Sequence, residues 1–144
     1  NTGLKLVQVL PINDTVATHT WVDSYPYAAI SVFALHPQYL SLDAVAELQD
    51  PAARQELERL RDELNAKDFV DYEPVMQAKW RFIKQLYQQE KARFLQDPAF
   101  RAFREEQQAW LEPYAAFSAL RDRYHTADFQ QWPEEFRTPA RVAE

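Results

Sequence analysis

Between positions 14 and 39 the chain concentrates residue types that can bind a polar ring. Trp21, Tyr25, Tyr27 and Tyr39 offer flat apolar faces with polar edges, and Asp14, Asp23, Ser24 and His36 offer hydrogen-bonding groups beside them. An aromatic face stacks on the C–H patches of a saccharide ring while neighbouring hydroxyls and carboxylates bond its OH groups. Tyr27 is the leading candidate for such a contact, with Asp23 and Ser24 adding hydrogen bonds. The competing reading makes Tyr27 a buried anchor of its loop, and Trp21 and Tyr25 packing residues. Asp14 and Asp23 invite a second idea, because retaining glycoside transfer needs two carboxyl groups roughly 5–5.5 Å apart. Loop aspartates also cap turns through Asx hydrogen bonds, which is their commoner use.

Other chemistry finds little support. His19, His36 and His125 show no metal-ligand spacing, and the chain has no cysteine, so no metal site is expected. No glycine-rich phosphate loop is present and no cofactor is expected. A net charge of −6, with acidic and basic residues interspersed, argues against nucleic acid. No apolar run approaches the ~20 residues needed to span a bilayer, and no signal peptide is visible. The expectation is a soluble cytoplasmic protein with no membrane partner.

The elements that must position these residues are mostly helical. One glycine is too few for a domain of many tight turns, and Ala, Glu, Gln, Arg and Leu dominate. The exception is Leu4 to Leu10, nearly all apolar, the pattern of a parallel strand buried on both faces. A lone strand is not stable in water, so the run points to a piece of a larger α/β protein. A buried extended arm or a short helix would fit the same residues.

Pro11 ends that run, and Asn13-Asp14-Thr15 opens a loop lasting to Pro37, with one helical turn expected around Ala28 to Leu35. Loops this long are functional or disordered, and the aromatic content argues against disorder. Ser41 is the expected cap of a short helix from Leu42 to Leu48, and Asp50-Pro51 opens a second. That second helix carries Ala53, Leu57, Leu60 and Leu64 on one stripe. After a break at 66–71, Asp71 and Pro74 open the longest helix, to about Leu95, with Val75, Met76, Phe82, Ile83, Leu86, Tyr87 and Phe94 inward. Asp97-Pro98 starts the next, carrying Phe100, Phe103, Trp110 and Leu111 inward, then Tyr114, Phe117, Leu120 and Tyr124. Pro113 is expected to kink or restart it. The polar tail after Trp132-Pro133 is expected to fray.

The order of motifs resembles the 4-α-glucanotransferases (amylomaltase or disproportionating enzymes, glycoside hydrolase family 77). It rests on Leu10-Pro11, then Asp23-Ser24-Tyr25-Pro26-Tyr27, then Ser31-Val32-Phe33-Ala34-Leu35-His36-Pro37. It continues at Trp110-Leu111-Glu112 with Tyr114 and Ala115, and at Trp132-Pro133. Ile12 to Val22 stands where shorter members carry a glycine-rich stretch, which is closer to the longer, plant-cytosolic-like branch.

The resemblance implies a (β/α)₈ TIM barrel, with a barrel strand and substrate-site loop at 1–41 and a helical insertion at 42–144. This chain is then mainly α, with one barrel-type β-strand. Implied partners are an α-1,4-glucan or maltooligosaccharide and the remainder of the barrel. The tyrosine of the Pro-Tyr pair, Tyr27, would contact the sugar beside the cleaved bond. The catalytic carboxylates would come from later strands, so no catalytic residue is assigned here. The rival class is a non-enzymatic helical interaction module with an N-terminal pairing arm.

Overall fold

A computed structural model describes residues 3 and 5–138 of the protein. Helices account for most of it: α1 (Leu42–Val45), α2 (Pro51–Asn65), α3 (Tyr72–Gln96) and α4 (Pro98–Tyr124), with 3₁₀ turns at Trp21–Ser24, Pro37–Tyr39, Phe129–Gln131 and Glu134–Phe136. The two Asp-Pro-Ala starts work alike. Asp50 accepts from the Ala52 N–H at 3.0 Å and Asp97 from the Ala99 N–H at 2.8 Å, each with proline at the first helical position. Each cap satisfies one of the amides that a helix start leaves without a partner.

The apolar stripes meet along α3. Leu42, Leu48, Ala53, Phe82 and Leu86 form one buried cluster, with Leu57, Leu60 and Ile83 against it. Phe82 is fully buried. A second cluster joins loop residue Val16 to Tyr72 and Met76 of α3, with Trp80 at its edge. Helix and loop therefore share apolar surface.

Several expectations need correction. Residues 5–10 form no strand, and Leu6 is 85% exposed, with Val7, Val9 and Leu10 also open; Leu4 lies outside the described residues. A parallel strand draws its hydrogen bonds from neighbours, and the described residues offer this run none. No helical turn forms at Ala28 to Leu35; the loop's turn lies earlier, at Trp21–Ser24, because 30–36 bonds back across the loop instead. The helix α1 stops after one turn, at Ala46, which is extended; Ser41 gives no side-chain cap bond. Leu48 reaches the core from beyond that helix.

Helix α4 does not restart at Pro113. That residue is exposed, so the carbonyl that loses its partner can turn to water. Tyr87, Phe94 and Phe103, expected inward, are about half exposed. The tail does not fray at once. Trp132 is buried, its ring 5.6 Å from Phe117, and its indole N–H donates to the Thr126 carbonyl at 2.9 Å. Arg137 then donates to the Trp132 carbonyl at 2.8 Å. Residues 139–144 lie outside the described residues.

Candidate functional site

The loop from Ile12 to His36 closes on itself. Asn13 and Leu35 form an isolated antiparallel bridge. The Asp14 N–H donates to Ala34 O at 2.9 Å and the His36 N–H to Ile12 O at 2.9 Å. Farther round, the Ile30 N–H donates to Asp14 O at 2.8 Å, and the Asn13 amide donates to Val32 O at 2.8 Å. Ser31 takes the Phe33 and Ala34 N–H groups on its hydroxyl at 3.2 and 3.1 Å. These bonds give a loop without regular structure a defined course.

Two buried aspartates organise it. Asp14 is 2% exposed, and its Oδ1 accepts from the Val16 N–H at 3.0 Å, an Asx turn. Its Oδ2 accepts from the Tyr114 hydroxyl of α4 at 2.5 Å. Asp23 is 3% exposed, and its carboxylate gathers the Thr18 N–H, the Thr18 hydroxyl and the His19 N–H within 3.1 Å. The Thr15 hydroxyl donates to the Asp23 carbonyl. His19 sits at φ 59°, a left-handed conformation that a non-glycine residue adopts at a cost. The Asp23 carboxylate on its amide helps to hold it there. Asp23 is committed to its own loop, and Asp14 divides its carboxylate between the loop backbone and α4.

The helices α3 and α4 clamp the loop from below. Trp21 N–H donates to Glu73 at 2.8 Å, and His19 Nε2 meets Asp122 at 2.8 Å. The buried Arg121 guanidinium donates to the Val16 carbonyl and bonds Asp122 as well. Phe33 stacks on Trp110 with ring centres 5.3 Å apart.

His36 closes the arrangement. Its Nδ1 accepts from the Gln38 N–H at 3.0 Å, so the ring proton sits on Nε2 and faces the Tyr72 hydroxyl at 2.9 Å. Burial pushes the His36 pKa below its ordinary 6.5, against the pull of Asp14 and Asp23. Burial likewise pushes the phenols of Tyr72 and Tyr114 up; for Tyr114 the bond to Asp14 adds to it. Lys79, held down by burial, donates to the Gln38 and Leu40 carbonyls.

Of the residues singled out from sequence, the structure brings Tyr27 and Ser24 to the surface and turns Asp23 inward. Tyr27 is 63% exposed, its ring 5.5 Å from that of Tyr25 at 59°. The two rings leave an open aromatic pair on the loop, and Trp21 is exposed as well. Reasoning from sequence missed Tyr72, Tyr114 and Arg121 as partners of the loop. The usable signal was the tyrosine itself, since a phenol placed on an apolar stripe still needs a partner for its hydroxyl.

Comparison with known proteins places the chain. The family model described as 4-alpha-glucanotransferase matches residues 1–144, so the chain belongs to that family, glycoside hydrolase family 77. It is 42% identical over 132 residues to 4-alpha-glucanotransferase DPE2 of Oryza sativa subsp. japonica, covering 92% of this chain and 14% of that protein. It is 35% identical over 135 residues to the 4-alpha-glucanotransferase of Chlamydia caviae, covering 93% of this chain and 24% of that one. It is also 34% identical over 137 residues to the Thermus thermophilus 4-alpha-glucanotransferase, covering 94% and 25% respectively. The chain thus spans a quarter or less of these curated relatives. No solved structure matches it. Among the described residues no helix is long and apolar enough to cross a membrane.

Proposed function

We propose that this chain is part of a cytoplasmic 4-α-glucanotransferase that moves α-1,4-glucan segments between maltooligosaccharides by a retaining mechanism. Within it the loop 12–36 supplies part of the sugar site. The observation that carries this reading is the exposed Tyr27 on a loop whose buried aspartates and helical clamp hold it in one course. A rigid aromatic face is what a sugar subsite needs, because a preordered side chain loses little freedom on binding. Tyr27 stacks on the ring beside the bond being cut, and Ser24, exposed at the end of the 3₁₀ turn three residues earlier, offers its hydroxyl to a sugar OH. Asp23 serves them from beneath, by fixing the entry to the 3₁₀ turn that carries Ser24 and leads to Tyr27.

The nucleophile and the acid/base come from outside this chain. A retaining mechanism needs two free carboxyl groups, and Asp14 and Asp23 are buried and occupied by hydrogen bonds. The run 5–10, largely apolar on both faces, becomes a strand of a (β/α)₈ barrel when the remaining strands stand beside it. The loop then lies at the carboxyl end of that strand, with residues 42–144 as a helical insertion. Family membership speaks against the rival helical interaction module.

The test uses Tyr27→Ala in the full-length enzyme. An aromatic contact of this kind is worth about 0.5–1.5 kcal/mol beyond area burial, so kcat/KM for maltotriose should fall several-fold, and Tyr27→Phe should recover most of it. A lowered melting temperature with unchanged kcat/KM would remove Tyr27 from the site. The pure 144-residue chain should release no glucose from maltotriose above a blank.

A further inference from the structure

We infer that Tyr114, on α4, is a positioning residue for the sugar contact at Tyr27, an inference that rests on the reading of the loop just proposed. The path runs through one buried node. Tyr114 donates its hydroxyl to Asp14 Oδ2 at 2.5 Å. Asp14 in turn holds both limbs of the loop: its N–H donates to Ala34 O at 2.9 Å, its carbonyl accepts from Ile30 N–H at 2.8 Å, and its Oδ1 accepts from Val16 N–H at 3.0 Å. Tyr27 lies between the turn closed by Asp23 and the link at Ile30. Its backbone is therefore pinned on one side by Asp23 and on the other by Asp14.

The same helix grips the returning limb. Trp110 lies one turn before Tyr114, their ring centres 6.2 Å apart, and it also stacks on Phe33. Residues four apart share a helix face, so a single face of α4 meets the loop at Asp14 and at Phe33. Tyr114 is the more telling of the two because its bond is to a buried carboxylate. Removing its hydroxyl leaves Oδ2 without that donor, and a buried charged acceptor recovers its bond by drawing in water or shifting the chain that carries it. The chain that shifts is the one bearing Ile30 and, three residues earlier, Tyr27.

A positioning role and a merely structural one separate in a double-mutant cycle on kcat/KM. The proteins are the full-length enzyme, Tyr27→Ala, Tyr114→Phe and the double variant, assayed on maltotriose below the melting temperature of each. Tyr114→Phe should lower kcat/KM several-fold, at most to the level of Tyr27→Ala, because it acts only through that ring. In the Tyr27→Ala background it should do almost nothing more, because the ring it aims is gone. Asp14→Asn, which keeps the shape of the node and removes its charge, should show the same lack of additivity with Tyr27→Ala. If Tyr27→Ala lowers kcat/KM and Tyr114→Phe leaves it unchanged, the inference is overturned and the reading of Tyr27 stands. Multiplying effects in the double variant overturn it equally, since they mean that Tyr114 acts elsewhere. If Tyr27→Ala itself leaves kcat/KM unchanged, the reading of the loop fails and the inference falls with it.

Discussion

The run 5–10 and the loop 12–36 are neighbours in sequence, and neither contains a regular helix or ladder beyond one bridge and one 3₁₀ turn. Their states differ completely. The first leaves Leu6, Val7, Val9 and Leu10 open to water, while the second buries Asp14, Thr15, Val16 and Asp23. Hydrophobicity alone would have ranked them the other way. The loop is ordered because short polar side chains can bond backbone groups a few residues off, and helices α3 and α4 supply the remaining donors. The run 5–10 is mostly apolar, with Lys5 and Gln8 its polar exceptions, and has a backbone whose bonds must come from another strand. An apolar segment is buried where a partner surface exists, not because it is apolar.

The largest effect expected from this contrast falls on Asp14. Asp14→Ala deletes the acceptor of both the Val16 amide and the Tyr114 hydroxyl. Each orphaned group costs about 1–3 kcal/mol, so denaturant unfolding should show a loss of roughly 2–6 kcal/mol. A loss below about 0.5 kcal/mol, the range of ordinary surface changes, would mean that the loop is held chiefly by packing.

A smaller effect is expected from acid. His36 is depressed below 6.5 by burial in the folded chain, so the unfolded chain binds more protons as pH falls through and below 6.5. Stability from this group is therefore full above pH 6.5 and declines as pH falls toward the folded value. Protonation also removes the Nδ1 lone pair that takes the Gln38 amide. His36→Asn keeps a capping acceptor and should flatten this part of the melting-temperature profile. An unchanged profile would assign the acid sensitivity to other groups.

The smallest effect, close to nothing, is expected for Leu6→Ser in the 144-residue chain. The residue is already in water, so stability should stay within about 0.5 kcal/mol. In the full-length enzyme the same change should cost about 2–5 kcal/mol, the scale of large-to-small core substitutions. Equal effects in both proteins would show that neighbouring strands do not cover the run.

Much of the helical part was legible from residue order, because its signals are local. Asp50-Pro51 and Asp97-Pro98 place two helix starts to the residue, and the stripe Ala53, Leu57, Leu60 meets Phe82 and Leu86 as its spacing implies. The break at 66–71 and the end of α4 at His125 also agree. Where local signals competed with distant partners, the reading failed. Ala28 to Leu35 could turn as a helix by itself, but Asp14 and Asn13 hold its Ile30 amide and its Val32 and Ala34 carbonyls instead. Tyr114 sits on an apolar stripe, which tells that it points inward and not what its hydroxyl meets.

By itself, then, the order of residues determined the class of the chain, its helix starts and the aromatic loop in which Tyr27 stands out. Those depend on caps, periodicity and turn chemistry, interactions spanning a few residues. Only the tertiary structure decided that Asp14 and Asp23 are buried nodes, that Tyr27 is presented outward, and that α4 reaches back 100 positions from Tyr114 to Asp14. The physical reason is that a buried carboxylate must find donors wherever the packed chain brings them, and no local pattern records which distant residue arrives.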